Sequence, residues 1–216
     1  MNTRTTTIIT FALIAAGLLA GVLLWSRLPD PVASHWDIND QVNGYMPKFW
    51  GVFFAPLLTL VMLLLFLAIP HIDPLKANIA KFRPVFNLFI AFIVAFLTYL
   101  QGLTLAWNLG YRGFRMSTAL LPLMGILFIL AGYMMRAAKR NFFIGIRTPW
   151  TLSSDRVWDE THRVGAVLFM ASGVLAILGS FFGGPVAFWM LFVPLIGSSL
   201  FLVVYSYVLY QRETRS

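Results

Sequence analysis

The chain has 216 residues, of which 59% are hydrophobic and 11% charged, and its mean hydropathy is +0.80. That balance excludes an ordinary soluble domain and points to a protein that lives in lipid. The chain has no cysteine, which excludes disulfides, thiolate metal ligands and a cysteine nucleophile; its net charge of +8 is spread over several loops rather than gathered into the stripe that a nucleic-acid surface needs.

Charges are missing between Arg4 and Arg27, Lys48 and Asp73, Arg83 and Arg112, Arg115 and Arg136, and Arg163 and Arg212. Each interval holds a helix of about 20 residues, enough to cross roughly 30 Å of hydrocarbon. The last interval holds two, divided by the turn signal Gly183-Gly184-Pro185. The reading is an all-α polytopic membrane protein, a bundle of six transmembrane helices at roughly 6–26, 49–70, 85–107, 117–136, 164–183 and 186–210. The runs are continuous and lack the two-residue alternation of a barrel strand.

The first span follows Arg4, as a cleaved secretory signal would, but its apolar core exceeds the roughly 7–15 residues of such a signal and no small-x-small site ends it. It is expected to stay as a helix. The loop after it, about 27–48, carries Leu28-Pro29-Asp30-Pro31 and Asn43-Gly44-Tyr45-Met46-Pro47, both rich in turn residues. His35 lies close in sequence to Asp30, Asp37 and Asp40, so this loop either gathers a cation or is a recognition loop held by turns and Trp36.

Span three carries Asn87, Thr98, Gln101 and Thr104, neutral groups suited to hydrogen bonds between helices. No intramembrane acid or base and no matched broken helices mark a transport path, which ranks a transporter last.

The segment 137–163 is a polar and aromatic island. Ser153 or Ser154 is suited to cap a short helix that runs on into span five, with Asp155 in its first turn. On that helix Asp155, Asp159 and His162 share one face, and two readings stay open. They could present three ligands to a divalent metal, or Asp159 pairs with Arg163 while His162 caps or lines the membrane surface. Trp150 and Trp158 read as interfacial anchors, and Arg147 either as an anion-binding fork or as a surface cation. No G-x-S-x-G, H-E-x-x-H, Walker-type loop or dinucleotide fingerprint occurs, so catalysis has no motif behind it.

Orientation follows from lysine and arginine, which cytoplasmic loops retain. A cytoplasmic N-terminus leaves twelve inside, namely Arg4, Lys76, Lys81, Arg83, Arg136, Lys139, Arg140, Arg147, Arg156, Arg163, Arg212 and Arg215, and four outside, Arg27, Lys48, Arg112 and Arg115. Both termini are therefore expected in the cytoplasm.

The stretch Asn141-Phe142-Phe143-Ile144-Gly145-Ile146-Arg147-Thr148-Pro149-Trp150-Thr151-Leu152, continued by Trp158, Thr161-His162-Arg163 and Gly165, resembles the signature of the SdpI family of multi-pass immunity proteins. Leu28-Pro29-Asp30, His35-Trp36, Asn39, Asn43-Gly44-Tyr45 and Lys48 resemble the DUF1648 module that commonly precedes it. The resemblance divides the chain into a DUF1648-like region, 1–70, and an SdpI-like region, 71–216. It implies a bacterial or archaeal plasma-membrane protein conferring resistance to a secreted membrane-active peptide or toxin, and also signalling by sequestering a cytoplasmic transcriptional repressor.

On this reading the partners are the lipid bilayer, a toxin peptide outside and a repressor inside, with no direct nucleic-acid contact and no cofactor. Outer-loop recognition falls to His35, Asn39, Gly44, Tyr45 and Lys48. The cytoplasmic signature surface comprises Asn141, Gly145, Arg147, Thr148, Trp150, Trp158, Thr161 and His162. The alternative is a membrane-embedded enzyme acting on a peptide or lipid through a metal at Asp155, Asp159 and His162, and the third a small-molecule or ion transporter.

Overall fold

The computed structural model, which describes residues 1–215, contains six helices long and apolar enough to cross a membrane. In chain order the elements are α1 (Thr3–Leu24), a hairpin of β1 (Val32–Trp36) and β2 (Val42–Met46), α2 (Lys48–Ile72), α3 (Lys76–Asn108), α4 (Met116–Ala137), the short α5 (Pro149–Ser153), α6 (Asp155–Ser180) and α7 (Gly184–Arg215). All but α5 of these helices are spans, so the chain is a multi-pass membrane protein. Its bundle has a hairpin end, where Asp40 meets Ser117 and Ile38 lies by Gly184, and a signature end, where Met1 meets Pro84, Asn78 meets Arg140 and Thr148 meets Ser206.

The six expected spans are all present, with longer ends. α3 starts at Lys76 rather than at 85 because its first turns lie before a break at Phe82 (φ −120°, ψ 16°), two residues ahead of Pro84. Pro84 has no N–H to donate to the Ala80 carbonyl and its ring crowds that carbonyl, so the helix bends there rather than ending. α6 starts at Asp155, capped by the Ser154 hydroxyl, which accepts from the Val157 amide at 3.2 Å.

The departure from an all-α chain is the hairpin. Its antiparallel strands pair Val32 with Met46 and Trp36 with Val42, with an irregularity around His35. Asp37 builds the turn by accepting from the amides of Asn39 and Gln41 at 2.8 and 2.9 Å, and Asp40 takes left-handed backbone (φ 62°). Strands this short carry no pattern distinguishable from a turn-rich loop.

Polar side chains join the spans. Gln101 donates from Nε2 to Gly17 O at 3.0 Å and Val52 O at 3.2 Å, tying α3 to α1 and α2, and Asn87 donates to Met1 O and Thr3 Oγ1. Thr98 and Thr104 instead donate to carbonyls of their own helix. α3, expected to open the second half of the chain, is thus hydrogen-bonded to the first.

α4 and α6 touch backbone to backbone. A Cβ on Gly125 would lie 2.5 Å from Gly173 O, and one on Gly132 would lie 2.6 Å from Ala166 O. Such close approach is how helices gain dispersion contacts in lipid, where burial of apolar surface supplies no drive.

Candidate functional site

At the signature end a set of polar residues closes on itself. Asn141 is fully buried; its amide donates to Lys139 O and Ile144 O at 2.9 and 3.0 Å and its Oδ1 accepts from the Phe143 and Ile144 amides at 2.9 and 2.6 Å. That exhausts the donors and acceptors of the side chain, and it folds 139–144 into a turn leading to Gly145, whose φ of +105° favours glycine. The site also needs the missing side chain, because a Cβ there would collide with His162 Nε2.

His162, 2% exposed, accepts at Nε2 from the Ile146 amide at 3.0 Å and pairs at Nδ1 with Trp158 O at 2.9 Å. An amide N–H can only donate and a carbonyl can only accept, so the imidazole is the neutral form with its proton on Nδ1. The ring stacks on Trp158 at 4.0 Å between centroids, and the Trp158 indole donates to Ala138 O, the end of α4, at 2.9 Å.

Thr148 caps α5 reciprocally with Thr151, which accepts from the Thr148 amide at 2.9 Å while its own amide donates to Thr148 Oγ1 at 3.2 Å. Thr148 Oγ1 also lies 3.0 Å from Ser206 Oγ on α7, and Thr151 Oγ1 donates to Ile146 O at 2.8 Å. The island is therefore a plug spanning α4, α6 and α7.

This geometry reorders the expected roles. Trp158 is fully buried and is no interfacial anchor; Trp150, half-buried, packs its ring against Tyr207 at 5.1 Å. Asp159 pairs with Lys139 at 3.1 Å, not with Arg163, which pairs with Glu160 one residue nearer on the helix. Asp155 lies 2.7 Å from Arg140 Nε, an ionic contact off the hydrogen-bond line.

With both His162 nitrogens engaged and both carboxylates paired to cations, Asp155, Asp159 and His162 form no ligand set. Among the described residues no group of three acidic or histidine side chains is arranged for a metal. Thr161 is buried with its hydroxyl unpartnered, and Arg147 is exposed, donating from Nη1 to Phe142 O at 3.0 Å.

At the hairpin end the side chains stay open. Tyr45 is 62% exposed, His35 and Asn39 are exposed, and Gly44 faces His35, whose Nδ1 lies 2.9 Å from Ser34 Oγ. Lys48 is half-buried with Nζ 5.0 Å above the Trp25 ring. The carboxylates once grouped with His35 are spent separately. Asp30 accepts from the Lys48 amide, Asp37 builds the turn, and Asp40 accepts from the Ser117 amide at 2.7 Å and hydroxyl at 2.6 Å, capping the start of α4.

Trp36 packs edge-on against Trp107 at 5.8 Å. Under the hairpin lies a cavity of about 340 Å³ with a polar rim at His35, Asp37 and Ser117 and apolar walls at Leu120, Met124 and Phe188.

Three structural residues escaped the sequence reading. Asn108 docks the hairpin by accepting from Ala33 N at 2.8 Å and donating to Ala33 O at 2.9 Å. Asp73, 2% exposed, accepts from Leu75 N at 2.6 Å and from Phe142 N at 2.9 Å. Ser206 meets Thr148. Only Asp73 had a local signal, the Asp-Pro pair at a helix end, and that marks a turn rather than its long-range partner.

The fold and these two ends define a small polytopic helical membrane protein with a folded hairpin at one mouth and a hydrogen-bonded plug at the other. Residues 137–206 match the SdpI/YfhL protein family, and residues 12–60 match DUF1648, a domain of unknown function. The immunity protein SdpI of Bacillus subtilis (strain 168) is 25% identical to it over 205 residues, covering 95% of this chain and 96% of that protein. No solved structure matches the chain.

Proposed function

We propose that this protein confers immunity to a secreted membrane-active peptide. The observation that carries the reading is the end-to-end similarity to an immunity protein, which takes in both the hairpin and the plug. The lysine and arginine bias supports a cytoplasmic signature end and an extracellular hairpin. In that orientation His35, Asn39, Gly44, Tyr45 and Lys48 meet the peptide, and the cavity beneath receives an apolar side chain that would otherwise enter lipid.

The inner consequence runs through α4, whose start is capped by Asp40 and whose end accepts the Trp158 indole. Of the signature residues, Arg147 and Trp150 keep surface for a cytoplasmic partner such as a repressor; Asn141, Gly145, Thr148, Trp158, Thr161 and His162 hold that surface in shape. Residues 1–70 serve recognition and 71–216 response.

The test is expression in a sensitive bacterium challenged with a panel of secreted membrane-active peptides, read as survival and membrane potential. The native chain raises survival at least about tenfold against a cognate peptide, and Tyr45→Ala removes most of that protection at equal membrane abundance, since an exposed side chain contributes within about 0.5 kcal/mol to stability. Equal depolarisation with and without the protein across the panel would overturn the proposal.

A further inference from the structure

At the signature end, away from the plug, α1, α2 and α3 border an open cavity of about 700 Å³. Its lining combines the cations Lys76 and Arg83 and the imidazole of His71 with Thr3 and an apolar wall including Pro70 and Ala77. We propose that it binds the phosphate headgroup of an anionic phospholipid.

Three observations carry this. First, the cations are uncompensated. Neither Lys76 nor Arg83 takes part in any salt bridge among the described residues, and Arg83 Nη1 is enclosed without a hydrogen-bond partner while its guanidinium sits 5.6 Å from the Phe86 ring. A partly enclosed guanidinium with an unmet donor calls for an anion, and its planar fork suits phosphate oxygens.

Second, no carboxylate competes. The connection between α2 and α3 has one acid, Asp73, which is buried with its oxygens taken by the amides of Leu75 and Phe142. The N-terminal ammonium adds positive charge beside the site, donating to Pro84 O, the residue after Arg83, at 3.2 Å.

Third, the position selects a lipid over a soluble anion. The cavity opens where three spans end, at the depth of headgroups, and its lining sets the apolar surface of Pro70, Ala77 and Ala80 beside the cations. Phosphate binds at the cations while the glycerol and first acyl carbons lie along Pro70 and Ala77. Arg83 follows directly on the break in α3 at Phe82 and lines this cavity.

The experiment is native mass spectrometry of the full chain titrated with phosphatidylglycerol or phosphatidylcholine. Lys76→Gln with Arg83→Gln weakens the first phosphatidylglycerol by roughly tenfold and leaves phosphatidylcholine unchanged. Arg27→Gln with Arg115→Gln, at the other end, changes neither. Photoactivatable phosphatidylglycerol on the unaltered chain labels residues 70–84, a readout independent of variant folding. Equal retention by the double variant, or labelling confined to other segments, would overturn the proposal. Displacement of the lipid by equimolar inorganic phosphate would reassign the cavity to a soluble anion.

Discussion

The two ends of the bundle spend polar residues in opposite ways. At the signature end Asn141, Thr148, Thr151 and His162 direct their hydrogen bonds inward, leaving Arg147 as the exposed charge of the Asn141–Thr151 stretch. At the hairpin end the half-buried Asn108 and Asp40 tie the hairpin to the helices, while His35, Asn39 and Tyr45 remain open. A dense motif in a membrane chain therefore need not be an exposed surface; here most of it is hydrogen-bonded inward, and the sparser loop keeps its polar side chains open.

The largest effect that would break this contrast is expected from Asn141→Ala. It leaves the buried Ile144 amide, the part-buried Phe143 amide and the Lys139 and Ile144 carbonyls without their partner, at about 3 kcal/mol. Thermal unfolding in detergent measures it, and a loss under 1 kcal/mol would show that the plug is not self-supporting. Next comes Gly145→Ala, which forces left-handed backbone on a side chain and drives its Cβ into His162, at about 2 kcal/mol. Faster hydrogen exchange of the Ile146 amide reports the displaced acceptor directly.

The smallest effect belongs to Asp40→Ala. Losing this cap costs about 1 kcal/mol and should raise exchange at the first turn of α4 while the signature end stays protected. Equal loosening at both ends would mean that they are one cooperative unit and would erase the contrast.

The spans were legible because crossing lipid imposes a length and forbids charge, and both are local properties of the chain. Ser154 as a cap was legible for the same reason: its partner Val157 is three residues away. The plug and the docked hairpin were not, since their key bonds join Phe142 to Asp73, Thr148 to Ser206, Ala33 to Asn108 and Ser117 to Asp40, separated by 69, 58, 75 and 77 residues. The shared face of Asp155, Asp159 and His162 was read correctly as periodicity. What periodicity could not supply was the Ile146 amide, which arrives from the turn and occupies the nitrogen a metal would need.

The contacts of Gly125 with Gly173 and of Gly132 with Ala166 have a mechanical consequence. Two backbones pressed together at levels two turns apart cannot telescope, so α4 and α6 form a single strut. That strut is gripped by Asp40 at one mouth, and at the other the Trp158 indole is held between the end of one helix and the imidazole of the other.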